Sequence, residues 1–364
     1  MYATREDIRK AAGELITCGF LGNELDAELK EVLRETNPAG IIFFTRNLDS
    51  PAHLAELAEE LKRHRPEDPF LLSIDQEGGQ VARVREPATL WPPMEHLGTI
   101  DDPALTGRVG QALARELRAM NIDVNYAPVL DVNTNPDNPI IGDRSFGDHP
   151  EQVSRHGAAL IKGLQDAGVG ACGKHFPGHG DTHLDSHLAL PSVDHELPRL
   201  REIEWRPFQA AVEAGVGSMM TAHVVMEALD PARPATLSGT VLRHLREELG
   251  FGGVIISDDL EMKAVSEHYS PREMAHLGLN AGVDHFLACK EPAVVLELYQ
   301  GIIHAVEQER VSHETLMAAA KRVRTWKERF YQPPVHPREQ AVIGCEEHQR
   351  LAHEIETRRQ MAGS

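Results

Sequence analysis

The chain has 364 residues, 41% of them hydrophobic, and a formal net charge of −19. That length allows one large domain or two ordinary ones, with apolar content enough for a substantial core. The negative balance argues against a nucleic-acid backbone as partner, since phosphates need lysines and arginines facing them. The four cysteines, Cys18, Cys172, Cys289 and Cys345, lie far apart and form no C-x-x-C pair. Three of them sit in apolar runs, which predicts buried free thiols in a reducing compartment. The first ten residues are charged and helical in pattern, without the apolar centre of a signal peptide. No apolar run is long enough to cross a bilayer. The expectation is a soluble, cytoplasmic protein with no membrane or nucleic-acid partner; the sequence leaves the oligomeric state open.

Eight short apolar runs recur along the chain, at 14–20, 40–44, 69–74, 122–130, 168–172, 215–222, 253–257 and 283–289. Most are continuous rather than alternating, the pattern of strands covered on both faces. Amphipathic helical segments separate them. Residues 51–65 place Leu54, Leu57 and Leu61 at helical spacing, and 105–120, 151–167, 196–214, 238–249 and 292–306 read likewise. Several end at a glycine, at Gly168, Gly215, Gly250 and Gly282. Strand and helix in alternation predict an α/β fold, a parallel (β/α)8 barrel of the TIM type. An open doubly wound sheet is the alternative, weakened because no Gly-x-Gly-x-x-Gly turn follows the first strand. Residues 312–330 predict a closing helix. Pro333, Pro334 and Pro337 then break the chain before a polar helix over about 338–361. The predicted organisation is a barrel domain, 1–330, and a helical tail, 331–364, that packs on the barrel or at a subunit contact.

Polar residues follow the predicted strands in turn. Arg46 follows the second, Asp75 the third and Asp131 the fourth, whose long loop carries Asp143 and Arg144. Lys174 and His175 follow the fifth, His223 the sixth, and Asp258 and Asp259 the seventh. Apolar strands do not need charged exits, and in a barrel catalytic groups come from these strand ends. Asp258, immediately after an apolar strand, suits a rigid, partly desolvated nucleophile, with Asp259 as cap of the following helix or as a support behind the site. In the loop after the fifth strand, Asp185 and His187 are two residues apart and share one side of an extended segment. Such a contact orients the imidazole and raises its pKa, so that it can give a proton and take one back. His183, Asp185 and His187 also have the spacing of a zinc site, which keeps a metal-dependent hydrolase as an alternative. The loop over 177–187, rich in glycine and poor in apolar anchors, is expected to be mobile without ligand.

Lys174-His-Phe-Pro-Gly-His-Gly-Asp181, followed by Asp185-Ser-His187, closely resembles the signature of family 3 glycoside hydrolases, in the bacterial β-N-acetylhexosaminidase branch. The resemblance runs over about residues 10 to 330. It includes Ile42-Phe-Phe-Thr-Arg-Asn47, Asp75-Gln-Glu-Gly-Gly79, Ala127-Pro-Val-Leu-Asp-Val132, Gly142-Asp-Arg-Ser-Phe-Gly147, Met220-Thr-Ala-His223 and Ser257-Asp-Asp-Leu260. It implies a barrel and a retaining exo-β-N-acetylglucosaminidase without cofactor or metal, acting on a small carbohydrate that contains N-acetylglucosamine. Peptidoglycan fragments in cell-wall recycling are the implied source of that substrate. Asp258 matches the family's nucleophile, His187 its acid/base, and Asp185 the partner of that histidine. Asp75, Arg144, Lys174 and His175 match residues that hydrogen-bond the sugar hydroxyls; Arg46, Asp131, His179 and His223 match positions near the pocket. The large α/β/α second domain of many members has no counterpart after the barrel, which favours the N-acetylhexosaminidase branch over the β-glucosidases. A phosphorylase, a β-glucosidase and a catalytically silent sugar-binding protein are the other readings.

Overall fold

The structure, a computed structural model, describes residues 4–68, 70–184, 186 and 190–362. Eight parallel strands close into a barrel: β1 (Ile16–Cys18), β2 (Gly40–Phe43), β3 (Leu71–Ile74), β4 (Val124–Asn125), β5 (Gly170–Phe176), β6 (Ser218–Thr221), β7 (Val254–Asp259) and β8 (His285–Ala288). Neighbours in space are neighbours in sequence, and β8 returns to pair with β1. Each predicted apolar run falls on one strand, but β5 and β7 run past theirs, so that Lys174, His175, Asp258 and Asp259 lie within the strands rather than after them. The open-sheet alternative falls, because closure leaves no free edge.

The helices between strands follow the sequence pattern where a cap and an apolar stripe agree. Helix Pro51–His64 starts at Ser50, whose side chain accepts from the His53 N–H, and buries Leu54, Leu57 and Leu61. Gly282 ends Pro271–Ala281 with φ of 110°, a left-handed turn that a β-carbon would strain. That helix and Ala27–Thr36 were not singled out from the pattern. The helix expected over 196–214 is two, Leu197–Glu202 and Arg206–Glu213. Pro207, in the first turn of the second helix, has no N–H to bond back towards the first, so one continuous ladder cannot form. Trp205, buried at the break, packs its ring 5.8 Å from that of Phe176 on β5.

Two buried carboxylates tie the bottom of the barrel. Asp123, just before β4, sits 2.7 Å from Lys62 and accepts the Leu72 N–H. Asp284, just before β8, pairs with Arg246 at 2.6 Å and Arg322 at 2.7 Å, and accepts the Ile255 N–H. The two thus brace neighbouring strands in the same manner. Beyond the closing helix His313–Phe330, the chain runs through a 3-10 turn, Pro337–Val342, into helix Glu346–Ala362. The tail helix expected from about residue 338 therefore starts later, after Gly344 (φ 63°) turns the chain. It lies against Met94–Ile100 and Pro103–Ala119, and its buried His348 meets Glu116 at 2.8 Å.

Candidate active site

A cavity of about 300 Å³ opens at the C-terminal ends of the strands. That is the lower end of the range for small-molecule sites, suited to a single sugar ring. Asp75, Arg144, Lys174, His175 and Asp258, all predicted from strand exits, meet in its wall, together with His179. Asp131 and His223 stand behind the wall and hold its members in place. Arg46 does not line the cavity: its side chain donates to the carbonyls of Phe20, at 2.9 Å, and of Cys289, and so clamps the ends of β1 and β8. Asp185 and His187 lie outside the described residues, so their predicted contact is not part of this geometry.

Asp258 is the penultimate residue of β7, where its Oδ1 accepts the Asp259 N–H at 2.8 Å. Burial acts to raise its pKa, but the imidazoles of His175 and His223 and the Lys174 ammonium bring it below the ordinary carboxylate value. The group is ionised at neutral pH. His223 is fixed between the Thr236 hydroxyl, 2.8 Å from Nδ1, and the Asp259 carbonyl, 3.0 Å from Nε2. Asp259 does not cap the helix that follows, one of the two roles the sequence leaves open to it. Its Oδ1 accepts the N–H groups of Glu261 and Cys289, which joins the exits of β7 and β8. The helix that follows, Lys263–Ser266, begins without a side-chain cap. Burial first, then Glu261 and Asp258, push Asp259 up to about 7.

Across the cavity stands a ladder of alternating charge. Arg83 faces Asp75 at 3.5 Å, Asp75 accepts from Lys174 at 2.7 Å, Lys174 reaches Glu77 at 2.5 Å, and Glu77 accepts two bonds from Arg144 at 2.8 and 2.9 Å. Glu77 and Arg83 were not singled out in the sequence. Glu77 had a signal, being two residues from Asp75 and so on the same side of an extended segment. Arg83 had none in its own surroundings. It arrives because Gly78 and Gly79, at φ 118° and 54°, fold Gln76–Gly78 back on Val81–Ala82.

Asp131 organises the start of the loop after β5. Its carboxylate accepts the N–H of His175 and of His179 and lies 2.7 Å from His175 Nδ1. Asn138 donates to the His179 carbonyl and Asn135 to that of Thr182. The described part of the loop is thus held by polar anchors, where the sequence reading counted apolar ones. His179, packed between the hydroxyls of Thr182 and Ser186, is driven by burial down to about 4 and is neutral. Among the described residues no three metal-ligating side chains cluster. Of the alternative zinc set only His183 is described, and its Nδ1 meets Asn135.

The glycosyl hydrolase family 3 N-terminal domain matches residues 7–326. The chain belongs to glycoside hydrolase family 3. It is 33% identical to β-hexosaminidase A of Pseudoalteromonas piscicida over 95% of its own length, and spans 62% of that protein. A family 3 β-N-acetylglucosaminidase from a Paenibacillus species superposes on 96% of the chain with a TM-score of 0.90 and 38% identity; the chain covers 68% of it. NagZ from Neisseria gonorrhoeae, solved in complex with N-trifluoroacetyl-D-glucosamine, matches 95% of the chain at a TM-score of 0.80 and 34% identity, with 98% of its own chain covered.

Proposed function

We propose that the protein is a retaining exo-β-N-acetylglucosaminidase that removes terminal β-linked N-acetylglucosamine through a covalent glycosyl-enzyme. The observation that carries this reading is the ionised Asp258, at the end of β7, facing a wall of hydroxyl-binding donors across a cavity the size of one sugar ring. A binding protein has no use for a desolvated carboxylate at that spot, whereas a nucleophile does. Lys174, Arg144, Arg83 and His175 donate to the sugar hydroxyls, and Asp75 accepts from them. This holds the anomeric carbon in line with the Asp258 carboxylate, where a misplacement of about 1 Å costs roughly two orders of magnitude in rate.

In the proposed reaction Asp258 attacks the anomeric carbon as the glycosidic bond breaks. His187, oriented by Asp185, protonates the departing oxygen, then takes a proton from the water that releases the sugar. This pair rests on the sequence motif. An imidazole in place of the usual second carboxyl avoids like-charge repulsion with Asp258. The names of the similar chains support the N-acetylated sugar, and the compound bound to the gonococcal relative is an N-acylated glucosamine. Peptidoglycan fragments in the cytoplasm are the proposed natural source of that sugar, a reading that rests on the family resemblance. The barrel and the tail beyond residue 330 are proposed to act as catalytic domain and packing extension.

Release of 4-nitrophenol from its β-N-acetylglucosaminide tests the reading. Wild type is expected to turn over. Asp258→Ala should be inactive, and His187→Ala should act only on substrates with good leaving groups. Preference for the β-glucoside would reassign the branch. A rate that depends on added phosphate would make the enzyme a phosphorylase, and loss of activity on chelation would favour the zinc alternative.

A further inference from the structure

Glu77 is a carboxylate without an evident task. It is 2% exposed and lies in the cavity wall, yet both of its oxygens are consumed by cations. Burial pushes its pKa up, but Arg144 and Lys174 more than reverse this and hold it far below the ordinary carboxylate range. Glu77 raises the pKa of Arg144, and Asp75 together with Glu77 raises that of Lys174, against the burial that would lower both.

The donor count shows what this arrangement decides. A guanidinium has five N–H donors in a rigid plane, and an ammonium has three. Glu77 takes two of the Arg144 donors, Nε and one on Nη2, and the Ile140 carbonyl takes one on Nη1. Lys174 gives one donor to Asp75 and one to Glu77. A planar group fixed at two corners has only one orientation, so Glu77 selects which edge of Arg144 remains for a ligand. Three elements converge on this one side chain. The hairpin after β3 carries Glu77, the 3-10 turn Gly142–Arg144 carries Arg144, and β5 carries Lys174.

We propose that Glu77 is a positioning residue of the sugar site, which aims the free donors of Arg144 and Lys174 at the ring hydroxyls without touching the sugar itself. This rests on the glycosidase reading above. It also has an electrostatic side. Lys174 is among the groups that keep Asp258 ionised, and Glu77 offsets its charge, so the ammonium serves the sugar rather than closing on the nucleophile.

The test compares 4-nitrophenyl β-N-acetylglucosaminide with its 3-, 4- and 6-deoxy counterparts, in wild type and Glu77→Gln, well below either melting temperature. In Glu77→Gln, kcat/KM for the parent glycoside is expected to fall about 100-fold, the cost of misplacing the bound sugar by about 1 Å. The largest deoxy penalty in wild type should shrink about 10-fold in the variant, because the contact it reports is already gone. A merely structural role would leave that penalty intact. If Glu77→Gln melts earlier but keeps wild-type kcat/KM and deoxy penalties, the proposal is wrong. Should Glu77→Gln fail to fold, Glu77→Asp keeps the charge and withdraws the oxygens by one methylene. It must show the same shrinkage, and unchanged penalties there overturn the proposal equally. Wild type that turns over none of the series sinks the glycosidase reading and this inference with it. An active wild type with an indifferent Glu77 sinks only the inference.

Discussion

His175 Nδ1 lies 2.7 Å from the Asp131 carboxylate, which also accepts the backbone N–H of His175 and His179. One fully buried side chain at the exit of β4 therefore sets both the ring and the backbone that lead out of β5. The cause is geometric: β4 and β5 are paired in parallel, so their exits lie side by side.

Asp131→Asn should cost both stability and rate. Burial alone would raise the Asp131 pKa, but His175 and His179 bring it below the ordinary 3.8. A depressed folded-state pKa contributes stability that is present above the unfolded value and lost as the pH falls through the folded one. The variant should be less stable at pH 7 by about 2–4 kcal/mol, the cost of breaking a buried charged network. That gap should narrow below about pH 4. Urea unfolding at the two pH values measures it; equal stabilities at pH 7 would refute the assignment.

Asp259 predicts the opposite pH trend. Its pKa, raised to about 7, means that the folded protein holds a proton the unfolded chain gives up above 3.8. Stability should therefore fall as the pH rises from about 4 to 7, by roughly 1–3 kcal/mol, since the group still faces the cavity. Asp259→Asn should remove this slope, leaving a variant more stable than wild type at pH 8 and close to it at pH 4. Thermal melts across the range decide; parallel curves for the two proteins would rule it out.

Gly180→Ala should displace the loop after β5. A β-carbon there would sit 1.8 Å from the Val132 carbonyl oxygen, a backbone atom that cannot step aside. The loop must move by more than an ångström, and kcat/KM should fall about 100-fold. The barrel itself should stay folded. Circular dichroism with turnover of the 4-nitrophenyl substrate checks both, and an unimpaired variant would show that the close approach does not matter.

Lys62→Met separates stability from function. The ammonium pairs with Asp123 at 2.7 Å with neither side chain exposed, at the end of the barrel away from the cavity. Removing one partner of such a pair costs about 3–5 kcal/mol. KM for the glycoside should remain at the wild-type value. A raised KM would mean that the bottom of the barrel is coupled to the site.

The sequence by itself determined the barrel and the identity of most wall residues. Both are local signals. A continuous apolar run is a strand covered on both faces wherever it lands, and a polar residue at its end reaches the rim of any parallel barrel. Asp75, Lys174 and Asp258 were legible in this way. Only the tertiary structure decided what the polar groups do for one another. Arg46 follows a strand as the wall residues do, but clamps two strand ends. Asp259 reads like a cap but bridges β7 to β8. Arg83 entered the wall unannounced, and Glu77 had only its spacing from Asp75 to mark it. The physical reason is that a side chain's partner depends on strand register and on which distant exits become neighbours. Arg144 and Glu77 are 67 residues apart and meet only when the barrel closes. Hydrophobic period carries the first kind of information along the chain, and nothing local carries the second.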